Sequence, residues 1–401
     1  MVNTFFLLFI SSNDQGFAIL ASKLFGAKKY QELGVLYQRN LFSVANLLIT
    51  VIGLLVFFSI TSQNDERIFP ISMIPSVIGA SLFSSTKYFL ISQNIFKAPT
   101  IIISALILVH ALLCYIFVGT LGMGVAGISF AKSIADVAAV ILLYSEFRFT
   151  GVCRDTWIFW TKECMKNRDK YLKRTSELGA TNAIEGFIYQ ASLFVILFMD
   201  DGLTEVHEVA LSLAYTLFCI PWGMSLSIQA QIGSAVGEAS NEKVGKIMPG
   251  GIALNALFSL ITVIFIVSFR KQIASLFYDD EFSSESLENM LLIYAIAFIF
   301  DSFANIIGGV LRVIGKEKQA NHAFSVCIVG VAGQWIFGLY YGYGYIGVWL
   351  CLAATAFLKF TGVIYLMWTL DWNRQMEEAK RALDEQASVE TQSLIEFTEV
   401  A

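Results

Sequence analysis

Apolar residues in this chain run in long unbroken blocks rather than alternating with polar ones. About eleven stretches of 18 or more residues lie near 4–25, 40–60, 70–95, 99–119, 122–147, 177–200, 208–236, 248–269, 287–313, 320–341 and 345–370. Each is long enough to cross about 30 Å of hydrocarbon as a helix. The ten-residue alternating strands of a membrane barrel do not occur in the sequence. The pattern predicts an all-α, polytopic transmembrane helical bundle.

The blocks repeat. Gly26-Ala-Lys-Lys-Tyr-Gln-Glu-Leu-Gly34 closes one stretch and Gly237-Glu-Ala-Ser-Asn-Glu-Lys-Val-Gly245 closes another. Gly122-x-Gly124-x-x-Gly127 and Gly342-x-Gly344-x-x-Gly347 open two more. Both pairs are offset by roughly 211–220 residues, a period that suits two halves of a membrane transporter and is far too long for a solenoid. Two pseudo-symmetric lobes are expected, over 1–147 and 177–370, with a basic connection at 148–176 and an acidic tail at 371–401. The partner of 177–200 would fall before Met1, so the first lobe is expected to lack its first helix. The connection carries Trp157, Phe159 and Trp160 and reads as an amphipathic helix at the lipid interface.

Only 15% of the 401 residues are charged, against about a quarter in a soluble domain. The net charge of −5 says less than its distribution. With the stretches taken in order, basic residues favour alternate connections by about seventeen to three, which puts Lys28, Lys29, Arg39, Lys97, Arg312 and the 148–176 segment inside. The amino terminus is then expected outside. The six cysteines form no CxxC and do not cluster with the three histidines, so neither a disulfide framework nor a metal site is expected.

An ionisable group inside a membrane helix costs about 2.5–3.5 kcal/mol on insertion scales, which makes each one a functional candidate. Glu185 stands within 177–200, and Asn182, Glu185 and Tyr189 share a helical face by their spacing. Asp301 stands near the middle of 287–313 and shares a face with Asn305. A membrane carboxyl beside amides and a phenol suits a proton or cation site. Lys132 and Asp136 are four apart and explain one another by pairing. Lys23, Lys87 and Lys359 are expected to snorkel toward helix ends. The GxGxxG strings open membrane helices rather than follow strands, so they read as tight turns and close packing, not as dinucleotide sites. Pro221 and Gly308-Gly309 interrupt their stretches. With neither a nucleophile–base pair nor a metal cluster, an enzyme is not expected.

These motifs, taken in order, resemble the multidrug and toxic compound extrusion (MATE) family in its eukaryotic branch. The resemblance rests on Gly26-Ala27-Lys28-Lys29-Tyr30 through Gln38-Arg39, and on Lys87-Tyr88-Phe89-Leu90-Ile91-Ser92-Gln93 with Pro99. It continues through Ile220-Pro221-Trp222-Gly223, Gly233-Ser234-Ala235-Val236-Gly237, Phe300-Asp301, Gly308-Gly309-Val310-Leu311-Arg312 and Gly347-Val348-Trp349. It implies a twelve-helix, two-lobe exporter of organic, often cationic, compounds driven by inward proton flow. The family's coupling carboxylates fall on Glu185 and Asp301. Its second acidic residue is Gln190 here, its eighth-helix Arg is Gln231, and its second-helix motif is replaced by Ala18-Ile19 and Lys23.

The resemblance further implies no cofactor beyond an ion gradient, protons first with sodium left open, and a small organic cation as partner. A monomer in the bilayer is expected, without nucleic acid, in the plasma membrane or a vacuolar or other internal membrane. The alternative is a truncated, transport-inactive or regulatory member of the same family.

Overall fold

The computed structural model describes residues 2–61, 68–151, 153–199, 201–372, 374–375, 377–378 and 381. Among them the chain forms eleven long helices and no strand: α1 (Val2–Gly26), α2 (Tyr30–Thr61), α3 (Ile68–Ser92), α4 (Lys97–Thr120), α5 (Gly124–Thr150), α6 (Arg168–Leu197), α7 (Asp201–Gly237), α8 (Asn241–Phe277), α9 (Glu281–Val313), α10 (Glu317–Tyr340) and α11 (Gly344–Trp368). Every apolar stretch of the sequence falls in one of them. Helices α2 to α11 are long and apolar enough to span a bilayer. Several outrun the hydrocarbon, because an apolar run marks only the part in lipid while the helix continues on polar residues. Thus α6 begins at Arg168 and α9 at Glu281, whose first turn is capped by Asp280 Oδ2 accepting from Ser283 N at 2.8 Å.

The chain divides into two compact units, Met1–Gly179 and Ala180–Ala401, with the boundary inside α6. In the first, α3 is central and packs on α1 and α5, and α5 packs on α4. In the second, α9 is central and packs on α7, α8 and α11. Helix α9 is the most enclosed: Leu287, Met290, Phe298, Ala304, Val310, Leu311 and Val313 are fully buried. Outer helices show the reverse. Ile107 and Leu108 on α4, and Leu257 and Ile261 on α8, stand exposed, as lipid-facing side chains do.

The repeat reaches the backbone. Left-handed residues recur at matching connections: Lys28 (φ 58°) with Ala239 (φ 55°), and Asn94 (φ 62°) with Gly315 (φ 90°). Helices α4 and α10 both end in a π-helical turn, Tyr115–Thr120 and Gln334–Tyr340. Each π turn is followed by paired left-handed glycines, Gly122 and Gly124 or Gly342 and Gly344. The third glycine packs tightly: a Cβ on Gly347 would lie 2.8 Å from the Phe337 carbonyl oxygen. The GxGxxG strings are therefore turns with close packing.

Three expectations change. The 148–176 segment is not an amphipathic surface helix. Its first residues end α5 at Thr150, its described residues between there and Thr161 form no helix, and a short 3₁₀ turn at Lys162–Met165 leads into α6. Its backbone finds partners in the first unit instead: Gln38 Nε2 donates to the carbonyls of Ile158 (3.1 Å) and Phe159 (2.9 Å), and Gln38 Oε1 accepts from Thr161 N at 3.0 Å. Trp157 packs its ring among Tyr37, Tyr144 and Phe147. Pro221 leaves α7 unbroken, and Gly308 and Gly309 leave α9 unbroken. The glycines serve packing, Gly308 against the Phe324 ring and Gly309 against the Gln229 side chain. Arg312, expected in a connection, is buried at the end of α9 and donates to Thr181 Oγ1. The tail beyond 381 lies outside the described residues.

Candidate functional site

Three helices of the second unit bring charge to one buried point. Glu185 enters from α6, Asp301 from the middle of α9 and Lys359 from α11. Lys359 is 1% exposed, Asp301 1% and Glu185 6%. The ammonium bridges the acids, with Nζ 2.6 Å from Glu185 Oε1 and 2.6 Å from Asp301 Oδ1. The remaining carboxylate oxygens also have donors. Asn305 Nδ2 lies 3.4 Å from Glu185 Oε2, and the Tyr189 hydroxyl donates to Asp301 Oδ2.

The helical spacings explain this convergence. Glu185 and Tyr189 are one turn apart on α6, as Asp301 and Asn305 are on α9, so two neighbouring helices each present an acid and a neutral donor. The Phe324 ring closes the far side, its centroid 5.3 Å from Lys359 Nζ. A charge taken out of water alone costs several kcal/mol, so the three groups are held by one another. Fully ionised, they carry a single net negative charge.

Of the residues singled out in the sequence, Glu185, Asp301, Tyr189 and Asn305 meet here. Asn182 is half-buried on α6, one turn before Glu185. Gln190 Nε2 donates to the Tyr215 hydroxyl at 3.3 Å, and the Tyr215 ring stands 5.9 Å from that of Tyr189, so it reaches the site only through a neighbour. Lys359 corrects an expectation: it does not snorkel but lies at the centre. Lys23 is also buried, whereas Lys87 stacks on the Tyr88 ring at 4.8 Å. Lys132 Nζ pairs with Asp136 at 2.5 Å, and Ser76 Oγ donates to the same carboxylate at 2.5 Å, which accounts for both charges.

A second polar cluster, in the first unit, was not singled out in the sequence. Asp14, fully buried on α1, accepts at Oδ1 from Asn40 Nδ2 (2.7 Å) and Ser85 Oγ (2.8 Å). Asn40 Oδ1 accepts from Asn13 Nδ2 (3.1 Å) and from the Tyr171 hydroxyl (2.7 Å), and Thr175 Oγ1 donates to Asn13 Oδ1 at 2.5 Å. The signal available was the run Asn13-Asp14-Gln15 in the middle of an apolar stretch. Among the described residues no group of three His, Cys, Asp or Glu side chains could hold a metal ion, and all six cysteines are free thiols.

A family model described as MatE matches residues 178–335, a span that includes Glu185 and Asp301. The chain is 23% identical over 377 residues to multidrug and toxin extrusion protein 1 of Danio rerio, covering 90% of this chain and 63% of that protein. It thus spans less than two thirds of that relative. It is 25% identical over 400 residues to Protein DETOXIFICATION 16 of Arabidopsis thaliana, covering 95% of this chain and 81% of the relative. The crystal structure of the eukaryotic MATE transporter AtDTX14 has the same fold, with a TM-score of 0.83 at 15% identity over 94% of this chain and 87% of that one. The matched family segment, the relatives and the shared fold support a eukaryotic-type MATE family member, and the long apolar helices make it an integral multi-pass membrane protein.

Proposed function

We propose that the chain is a proton-coupled antiporter that exports organic, often cationic, compounds by alternating access. The observation that carries the reading is the buried Glu185–Lys359–Asp301 cluster, whose single net negative charge is neutralised by one proton or by one monovalent cation but not by both. Protonation from the outer side releases the bound compound and favours the inward-facing state. Loss of the proton inside restores the charge that attracts the next cation. Relatives named for multidrug and toxin extrusion support the same reading. The protein works as a monomer without a cofactor, in the plasma membrane or a vacuolar or other internal membrane.

The test is efflux of a fluorescent organic cation from proteoliposomes after a pH jump, with a sodium jump at constant pH as a second arm. The expected result is flux that follows the proton gradient in the native chain and is lost in Glu185→Gln. Exchange that survives the substitution unchanged removes Glu185 from the coupling role. Flux driven by sodium alone replaces the proton as the coupling ion.

A further inference from the structure

We infer that Lys359 is the resident cation of the site, an internal competitor that the proton or the substrate must displace before it can bind. The inference deepens the antiport reading above and rests on it. Its basis is that the four carboxylate oxygens are all occupied by groups of the protein itself. Lys359 takes Glu185 Oε1 and Asp301 Oδ1, Asn305 takes Glu185 Oε2, and Tyr189 takes Asp301 Oδ2. An external cation therefore meets oxygens that each already have a partner from the protein. Of the occupants only Lys359 carries charge, so only its departure leaves an electrostatic place for another cation. The neutral donors on Oε2 and Oδ2 can stay.

The surroundings allow that departure. Lysine is a compact point charge on a flexible four-carbon stem, whereas the planar fork of arginine locks onto its acceptors. The face of Phe324, 5.3 Å from Nζ, offers the ammonium a second seat within the same buried space. The groups that face Lys359 are Glu185 from α6, Asp301 from α9, and Phe324 with the Cys327 thiol from α10. The two carboxylates are therefore the anions that hold the ammonium. Because it bridges α6 and α9 from α11, its release removes the ion pairs that tie α11 to both helices, which links loading of the site to the packing of the unit.

The experiment measures binding of tetraphenylphosphonium to the purified full chain at fixed neutral pH. Lys359→Gln alone leaves two acids facing each other and is at risk of misfolding. The decisive variant is therefore Lys359→Gln with Asp301→Asn, which keeps the net charge of the site at the native value while removing the competitor. A ligand that must wait for a site occupied nine-tenths of the time binds about tenfold more weakly than its intrinsic affinity, so the double variant is expected to bind about tenfold tighter than the native chain. Native protein that fails to bind while the double variant binds supports the inference equally. Equal or weaker binding by the double variant overturns it. Lys359→Arg, which keeps a bridging cation, is expected to bind no tighter than the native chain, and tighter binding by it counts against displacement. Glu185→Gln separates the two readings: if it weakens binding and the double variant does not strengthen it, the antiport site stands and the role of Lys359 fails. If Glu185→Gln binds as well as the native chain, the site itself is wrong and both readings fall.

Discussion

The indole N–H of Trp349 donates to Nδ1 of His207 at 3.2 Å, and this one bond settles the tautomer of a buried histidine. With Nδ1 accepting, Nε2 carries the proton and donates to Ser192 Oγ at 2.9 Å; the serine hydroxyl in turn donates to the Tyr189 carbonyl at 2.6 Å. All three side chains are 0–1% exposed. The relay ties α11 and α7 to α6 one turn beyond Tyr189, whose hydroxyl holds Asp301.

His207→Phe keeps the ring packed on Trp349 but strands the indole N–H and removes the donor to Ser192. Destabilisation of about 1–3 kcal/mol is expected from the donor left unmade. Thermal unfolding of the detergent-solubilised protein measures it. Unchanged stability would show that the relay is not structural.

Asn40 is the hub of the first unit's polar cluster, serving Asp14, Asn13 and Tyr171 with one side chain. Asn40→Leu is expected to cost about 3 kcal/mol or more, because it leaves several buried partners unsatisfied at once. Ser85→Ala, which removes one donor to Asp14, should cost about 1 kcal/mol. A comparison of the two melting temperatures tests the ranking, and equal losses would show that Asn40 is no hub.

Glycine substitutions should divide by what surrounds them. A Cβ on Gly79 would sit 2.8 Å from the backbone carbon of Asp136, where α3 meets α5. Gly79→Val should therefore part these helices at a cost of about 1–3 kcal/mol or more. Nothing lies within 4 Å of a Cβ on Gly223 in α7, so Gly223→Ala should be neutral or stabilising by up to about 1 kcal/mol. The same unfolding assay separates the two.

The Cys153 thiol, in the connection before α6, is pushed up to about 11 by burial, against the opposing hydrogen bonds of Thr156 and Gln93. At pH 7–8 it is therefore thiol rather than the reactive thiolate. Maleimide should label it slowly in the folded protein and rapidly after denaturation. Fast labelling of native protein would mean that the 151–161 connection opens from the first unit.

The fold was legible because hydrocarbon imposes a length: each apolar stretch became a helix, α1 through α11 in order. Helix ends were less legible, since α6 and α9 extend on charged residues that hydropathy excludes. The acids of the site were legible from the cost of placing them in lipid, and their helical spacing brought in Tyr189 and Asn305. Lys359 was not, because distance from a helix end tells nothing about which face a residue occupies. Snorkelling and ion pairing begin from the same sequence, and only the approach of α6 and α9 to α11 decides between them. Asp14 escaped for a related reason: its partners lie on α2 and α3, with Tyr171 and Thr175 of α6 completing the cluster, and no local spacing connects them. The 148–176 segment misled through Trp157, Phe159 and Trp160, aromatic as an interfacial helix is: all three are exposed, and Trp157 keeps ring contacts with Tyr37, Tyr144 and Phe147 without any helix forming around it.

The paired left-handed turns have a consequence for how the two units can diverge. Lys28 and Ala239 share a backbone shape but no chemistry, and so do Asn94 and Gly315. A residue with a Cβ in that region carries about 1–2 kcal/mol of strain that glycine would relieve. The molecule therefore keeps the path of its chain at these corners while leaving the side chain free to vary. Such corners are natural places to graft a probe, a tag or the matching turn of the other unit, since what they must supply is direction and not contact.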